Sequence, residues 1–487
     1  MNLSELTAVL ADREGGDGEE IDIEGIEFDS RRVGGGELFV CLEGLASDGH
    51  DFAAAAVSDG ARALVVRRRI PGIPEVPQVV VPDTREALAL LAARFYGDPS
   101  RGLATVGVGG TNGKTTVTQL LAAIGETTGK RCAVFGTLGN RIGGAVQPSG
   151  FTTPEAPQVQ RLLREAVAAG TDWAVMEVSS HALDQKRVFG IDFAVVVFTN
   201  LSHDHLDYHG DMASYGEVKS RLYFPETRGS KREAVAVLNI EDPLGRELAE
   251  RVSGPVRTYG FTGAAAYRAL DLHTTPAGTR YRLETPEGVA AVDLPLLGRF
   301  NVLNALAAQA AAMALGATLD EAAAGLASTV RVPGRMDVVP GSREFLVVVD
   351  FAHTPDALTH ALEAAREFTT GRVLLVFGCG GDRDRAKRPV MGAIAARLAD
   401  AAWVTSDNPR TEDPERILDE ILAGAKGGDL ERESDRGRAI ERALRSARPG
   451  DTVLIAGKGH ETVQVLGDAK RPFDDRAVAM GILERLD

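Results

Sequence analysis

Residues 104–116 read ATVGVGGTNGKTT. A short apolar run enters a glycine-rich turn, and the turn opens into a helical pattern at Lys114. In that setting glycines let successive backbone N–H groups curl around phosphate oxygens, and the helix N-terminus adds partial positive charge. The pattern assigns Gly110, Thr111, Asn112, Gly113, Lys114, Thr115 and Thr116 to ATP, with Lys114 on the β- and γ-phosphates and the Thr115 hydroxyl as a magnesium ligand. The usual spacing puts glycine six residues before the lysine; Val108 stands there, with Gly107 one residue further back. The plainer alternative is an ordinary glycine-rich strand-to-helix turn.

Outward from this turn, apolar runs at 173–178, 193–199 and 234–238 alternate with helical segments, which predicts a parallel sheet. Residues 256–297 switch to polar–apolar alternation and predict a small antiparallel annex, followed by an alanine-rich helical pair at 301–327. Upstream, runs at 37–40, 62–66 and 78–81 with helical spacing at 51–59 and 84–96 predict a small α/β unit that closes at the turn-rich stretch 97–100. Downstream of Val332-Pro333-Gly334, runs at 345–350, 373–377, 402–405 and 452–456 predict a doubly wound, Rossmann-like unit. The expected organisation is α/β in three domains: 1–99 small α/β, 100–334 P-loop ATPase-type, 335–487 doubly wound. At 487 residues the chain is too long for one core.

Composition excludes several classes. Apolar residues make up 44% and charged residues 25%, as in folded globular domains. A net charge of −15 offers no positive field for nucleic acid. Cys41, Cys132 and Cys379 are far apart, which argues against a disulfide framework and for a reducing, cytoplasmic setting. Neither a signal sequence nor a membrane span is read from the chain.

Two further clusters carry chemistry. Glu177 lies at the end of a strand-like run, where open α/β sheets bind ligands. The next run ends in NLSHDHLDYH (200–209), whose His and Asp density suits a zinc hydrolase or a solvated polar loop, but the phosphate turn before it favours magnesium, which prefers oxygen ligands with few protein contacts.

Taken together, GTNGKTT, MEVSSHAL, TNLSHDHLDYHG, YGEVKSRLYF, LLGRFNVLNALAA, GRMDVV, HTPDAL, GCGGDRDRAKRP, SDNPRTEDP and GKGHE resemble the Mur ligases across all three domains. The resemblance implies an ATP-dependent amide ligase of peptidoglycan precursor synthesis, and so of cell-wall biogenesis, cell shape and cell division. It would phosphorylate UDP-N-acetylmuramoyl-L-alanyl-D-glutamate to an acyl phosphate and add meso-diaminopimelate. It further implies Lys114, Glu177, His205 and Lys219 as catalytic, with Thr115, Glu177, His205 and a carbamylated Lys219 at magnesium. ATP would lie on the turn and on Asn301, Asn304, Arg335, Asp350 and His353. The UDP-dipeptide would meet Ser30, Thr152, Thr153, Ser179 and Arg187, and the incoming amino acid Arg383, Asp407, Asn408, Arg410, Gly457 and Glu461. Phe351 stands where the family commonly has tyrosine, so a hydroxyl is missing. A monomer is expected. Rival expectations are the same ligase using L-lysine, a folylpolyglutamate synthase-like ligase, a zinc-dependent hydrolase built on the histidines, and a nucleotide-gated switch.

Overall fold

The computed structural model describes residues 1–16, 20–44, 47–73, 76–327, 331–341 and 344–486. Among the described residues three large sheets and a two-stranded hairpin, Val463–Leu466 with Ala469–Pro472, carry the chain, and the parallel strands are built from apolar runs too short and too β-branched to be helices. The first is a four-stranded parallel sheet of Gly25–Glu27, Glu37–Val40, Ala63–Val66 and Gln78–Val80 in sequence order. Helix Thr84–Phe95 closes it. Asp83 starts that helix, its carboxylate accepting from the Arg85 and Glu86 amides at 2.9 and 3.0 Å.

The second sheet has eleven strands, and Ala104–Gly109 lies between Val195–Phe198 and Trp173–Glu177, parallel to both. Both faces are covered, so the strands read as continuous apolar runs. Val106, Val108, Val195 and Val197 turn towards helices Lys114–Thr127 and Arg299–Ala314. Ala174, Met176, Val196 and Phe198 turn the other way, towards helix Ala156–Ala168. Small side chains let helix Arg299–Ala314 sit deep: Ala305, Leu306, Ala307, Ala308 and Ala310 are all fully buried.

The alternating segment extends this same sheet. Val256–Gly260 pairs in parallel with Val235–Asn239, and only Tyr267–Thr275, Gly278–Thr285 and Gly288–Leu294 form the antiparallel meander. One face of the meander is wet, which is why Tyr281 and Leu283 are buried while Arg280 and Arg282, which alternate with them, are exposed. At the opposite edge the hairpin Gly139–Ile142 and Ala145–Gln147 adds two strands that hydrophobic patterning passes over, since Ala145–Gln147 is exposed throughout.

The third sheet runs Asp337–Val338, Leu346–Asp350, Thr452–Ala456, Val373–Phe377, Ala401–Val404, Leu430–Arg432, parallel except for its first strand. Val348, Leu375 and Leu454 face helices Pro355–Phe368 and Lys387–Leu398, whereas Val347, Leu374 and Ile455 face helices Arg436–Ser446 and Asp475–Leu483. The sheet is therefore doubly wound. Among the described residues no helix is long and apolar enough to cross a membrane.

Close packing of helix Lys114–Thr127 on the central sheet depends on Gly125. A Cβ added there would lie 2.6 Å from the Cys132 sulfur and 2.7 Å from the Trp173 ring. Gly125→Leu is expected to destabilise the central sheet by about 1–3 kcal/mol. Trp173 and Trp403 are the chain's only tryptophans, so urea unfolding followed by Trp173 emission in a Trp403→Phe background reads this directly. An unshifted midpoint would contradict the packing.

Candidate active site

The strand Ala104–Gly109 ends in a turn wedged between neighbours. Gly110 has φ +132° and Gly113 φ +88°, conformations that suit glycine. A Cβ on Gly110 would meet the Thr199 hydroxyl at 1.9 Å, and one on Gly113 the Asn304 amide oxygen at 2.3 Å. Backbone groups of the turn are pinned from the adjacent strand end: the Thr111 amide donates to Asn200 O at 2.8 Å and the Asn112 amide to Asn200 Oδ1 at 2.9 Å. Lys114 Nζ folds back onto the carbonyls of Gly110 and Thr111 at 3.0 and 2.8 Å. Thr116 is buried on the first turn of the helix.

A knot of oxygens lies beside the turn. Thr115 Oγ1 donates to Glu177, with the two carboxylate oxygens at 3.0 and 3.1 Å. The same carboxylate accepts from the Thr137 amide and hydroxyl at 2.8 and 3.0 Å. Thr153 Oγ1 donates to the Glu177 carbonyl at 2.9 Å and accepts from the Ser179 amide at 3.1 Å. Thr152 meets the Thr137 hydroxyl at 3.3 Å. Arg187 donates to Thr153 O at 2.9 Å and pairs with Glu155 at 3.0 Å. Thr115, Thr152, Thr153, Glu177, Ser179 and Arg187 are thus one connected group. Ser30 is apart from it, on the 3-10 helix Ser30–Arg32 beside the four-stranded sheet.

Lys219 arrives from helix Met212–Ser220 and is 3% exposed. Its amine donates to Gly110 O at 2.7 Å, the carbonyl that Lys114 also uses, and lies 4.6 Å from the Tyr215 ring centre. Burial pushes Lys219 well below the usual lysine range, and repulsion from Lys114 adds to this against the pull of Asp204. Burial also lowers Lys114, with Glu177 opposing.

The histidines form a ring cluster. His181 lies 4.9 Å from His205 and 5.6 Å from His209, and His209 stacks on Tyr215 at 4.9 Å. Burial brings His205 down to about 4 despite Asp204, so its imidazole is neutral at pH 7. Among the described residues, only Glu43, Asp48 and His50 bring three such ligand atoms within 4.8 Å of one another. His203, His205, Asp207 and His209 do not converge, which removes the basis for the zinc hydrolase. Thr115 Oγ1 with the Glu177 carboxylate is a different donor set: adjacent hard oxygens, which fit magnesium.

The third sheet presents its carboxyl ends to this group. Arg335 Nη2 reaches Thr115 Oγ1 at 3.3 Å, and its guanidinium sits 4.6 Å over the Phe351 ring. Asp350 accepts from the Met336 amide at 2.7 Å; burial lifts its carboxyl to about 6, with Arg335 opposing. Asn112 Nδ2 donates to Asp356 at 3.2 Å across the same gap. His353 is lowered by burial and by Lys387, whose amine holds the His353 carbonyl at 2.8 Å. Asn301 is fully buried and donates to Leu297 O at 2.8 Å, while Asn304 donates to Asn301 at 3.1 Å. Asn301 therefore caps nothing by its side chain at the start of helix Arg299–Ala314.

Further along the same sheet edge, Asn408 donates to Glu461 at 2.8 Å, Arg410 rests Nη1 on Gly381 O at 2.7 Å, and Arg383 holds Asp382 O at 3.0 Å. Gly457, at φ +115°, makes room for Asp407, whose carboxylate lies 2.6 Å from where its Cβ would be. Burial raises Asp407, opposed by Arg436 and Lys458. Thr137, Tyr215, Arg436 and Lys458 were not legible as site residues. Lys458 alone had a signal, since it follows a strand's carboxyl end in GKGHE.

Three stretches match family models: residues 22–96 "Mur ligase family, catalytic domain", 108–312 "Mur ligase middle domain", and 334–459 "Mur ligase, glutamate ligase domain". The UDP-N-acetylmuramoyl-L-alanyl-D-glutamate–2,6-diaminopimelate ligase of Geobacillus thermodenitrificans is 47% identical over 462 residues, 94% of each chain. The ligase of that name from Gloeobacter violaceus is 49% identical, covering 96% of this chain and 95% of its own. A solved structure of a ligase with this name superposes with a TM-score of 0.72 at 35% identity, covering 99% of both chains.

Proposed function

The chain belongs to the Mur ligase family, and we propose that the site just described joins meso-diaminopimelate to UDP-N-acetylmuramoyl-L-alanyl-D-glutamate at the expense of ATP. It is an ATP-dependent ligase of peptidoglycan precursor synthesis. The observation that carries the assignment of roles is the meeting at Thr115. Its hydroxyl is bonded by Glu177 from its own sheet and by Arg335 from the other, so groups from both sides converge on one atom.

A carboxylate at neutral pH is a poor electrophile. Transfer of the γ-phosphoryl group to the D-glutamyl side-chain carboxylate makes an acyl phosphate. Attack by the incoming amine then forms the C–N bond, phosphate leaves with the C–O bond electrons, and the amine gives up a proton. In this reading Lys114 and Arg335 supply positive charge to the transferring phosphoryl group. Asp350, His353, Asn301 and Asn304 hold the nucleoside side, and Gly110 to Thr116 wrap the phosphates. Ser30, Thr152, Thr153, Ser179 and Arg187 hold the UDP-dipeptide. The units contributing these groups are 1–99, 100–334 and 335–487.

Magnesium would be held by Thr115 and Glu177, with His205 and Lys219 nearby, and would offset the charge of phosphate and carboxylate forced together. Lys219 as an ammonium cannot ligate a cation. Its unprotonated amine is the form that attacks CO₂, and burial shifts the balance towards that form: the Nζ–C bond forms, a proton leaves, and the resulting carbamate is an oxygen donor. Phe351 takes the place of a hydroxyl with an apolar face under the Arg335 guanidinium.

The deciding assay is ADP release. It should require the UDP-dipeptide together with meso-diaminopimelate, fail with L-lysine, and vanish in Lys114→Ala. Release without an acyl acceptor would contradict the ligase. For Lys219, protein equilibrated with ¹³CO₂ should show a carbamate carbon resonance that Lys219→Ala lacks, and this variant should be nearly inactive; full activity would remove any role for the lysine. Arg410 offers a planar fork to the second carboxylate that distinguishes diaminopimelate from lysine. Losing one charge-assisted contact costs about 1.5–3 kcal/mol. Arg410→Lys should therefore raise the KM for meso-diaminopimelate about ten- to a hundredfold with the KM for ATP unchanged. Equal use of L-lysine by the unaltered enzyme would overturn this reading of the loop.

A further inference from the structure

Strand Thr452–Ala456 ends at Gly457, and the next side chain turns inward: Lys458 is fully buried. A buried ammonium must find an acceptor for each of its three protons. Lys458 does so on Val463 O at 2.7 Å, Glu461 Oε2 at 2.9 Å and Asn408 Oδ1 at 3.2 Å.

Those bonds dictate two neighbouring orientations. Asn408 Oδ1 also accepts from the Val465 amide at 2.9 Å, so its amide cannot flip without losing two donors. Its Nδ2 is thereby set to donate to Glu461 Oε2 at 2.8 Å. Glu461 Oε2 thus accepts twice, and among the described residues no hydrogen bond reaches Oε1. The Glu461 side chain is 32% exposed, so the carboxylate still opens to the site while the lysine beneath it is sealed.

We infer that Lys458 is a positioning residue for the incoming amino acid: it locks the Asn408 amide, engages one Glu461 oxygen, and leaves the other as the acceptor for the substrate's ammonium group. The inference rests on the proposed amino-acid site around Arg410 and Glu461. Electrostatics supports the geometry. Burial works to raise the Glu461 carboxyl, but Lys458, the Asn408 amide and His460 together hold it below its ordinary value. Asp407 and Arg410 face it from the loop after Ala401–Val404, and Arg436 faces it from helix Arg436–Ser446.

Steady-state kinetics with each substrate varied in turn tests this. Lys458→Met should raise the KM for meso-diaminopimelate about ten- to a hundredfold while kcat and the KM values for ATP and the UDP-dipeptide hold. Glu461 accepts an ammonium only when ionised. Removing the cation beneath it raises its pKa, so the acid limb of kcat/KM for meso-diaminopimelate should move to higher pH. Lys458→Arg keeps the charge without the three-way fit. It should raise the same KM but leave the acid limb in place, and its KM alone decides the question if the Met variant does not fold. A KM for meso-diaminopimelate unchanged in the folded variants, or one that rises together with those of ATP and the UDP-dipeptide, overturns the inference. Glu461→Gln separates the two layers. If it leaves that KM unaltered, the amino-acid site itself is misplaced; if it raises it while the Lys458 variants do not, only the role of Lys458 falls.

Discussion

The space denied to a side chain at Gly110 organises the centre of this molecule. With the Thr199 hydroxyl 1.9 Å from where a Cβ would sit, the turn after Ala104–Gly109 is pressed against the end of the neighbouring strand. That closeness lets Asn200 hold two successive amides of the turn, and it exposes the Gly110 carbonyl to two lysines from different helices. Burial disfavours the charged form of Lys219, and repulsion from Lys114 on the same carbonyl adds to this, so its amine is far less basic than lysine in water. The chemistry of the site thus begins with a steric fact about one glycine.

From the turn, order spreads through shared acceptors. Glu177 accepts from Thr115 and twice from Thr137, so the carboxylate is fixed by three donors on two separate elements. Arg335 reaches the same threonine from the third sheet, and Asn112 reaches Asp356 nearby, so polar contacts bridge the gap beside the turn, while Leu297 and Phe300 pack into the apolar core of the third sheet away from it. Bonds of that kind exchange readily with water and ligands, which suits two surfaces that must admit a nucleotide between them. Behind the third sheet one ion pair is sealed. Arg436 and Asp475 are both fully buried and paired through two bonds of 2.7 Å, with a further bond from Arg436 to Ala456 O. Breaking such a pair by removing one partner is costly, so the helices carrying it are held firmly behind the loops that face the site.

Much of this was legible in advance. Continuous apolar runs marked the buried parallel strands, because a strand covered on both faces has no polar side to show. Glycines, GKTT and the carboxylate at 177 marked the turn and its neighbour. The hairpin at 139–147 was not legible, since an exposed edge needs no apolar pattern. Nor was the continuity of Val256–Gly260 with the parallel sheet: pairing direction is decided by which strand lies alongside, and alternation carries no information about that. The histidine-rich segment left a zinc site open as a rival to magnesium, because spacing along a chain says nothing about whether the rings converge.

By itself, the sequence determined the buried parallel strands and their order, the glycine-rich turn and the family, all of which depend on local patterning and on motifs contiguous in the chain. Tertiary structure alone decided which of those residues share an atom: that Thr115 meets both Glu177 and Arg335, that Lys219 and Lys114 compete for Gly110 O, and that Lys458 is sealed beneath Glu461 and Asn408. Burial is the reason for the division. A lysine in a sequence reads as a solvated cation, and only when the fold removes water does it become a weak base or an anchor that sets the orientation of its neighbours.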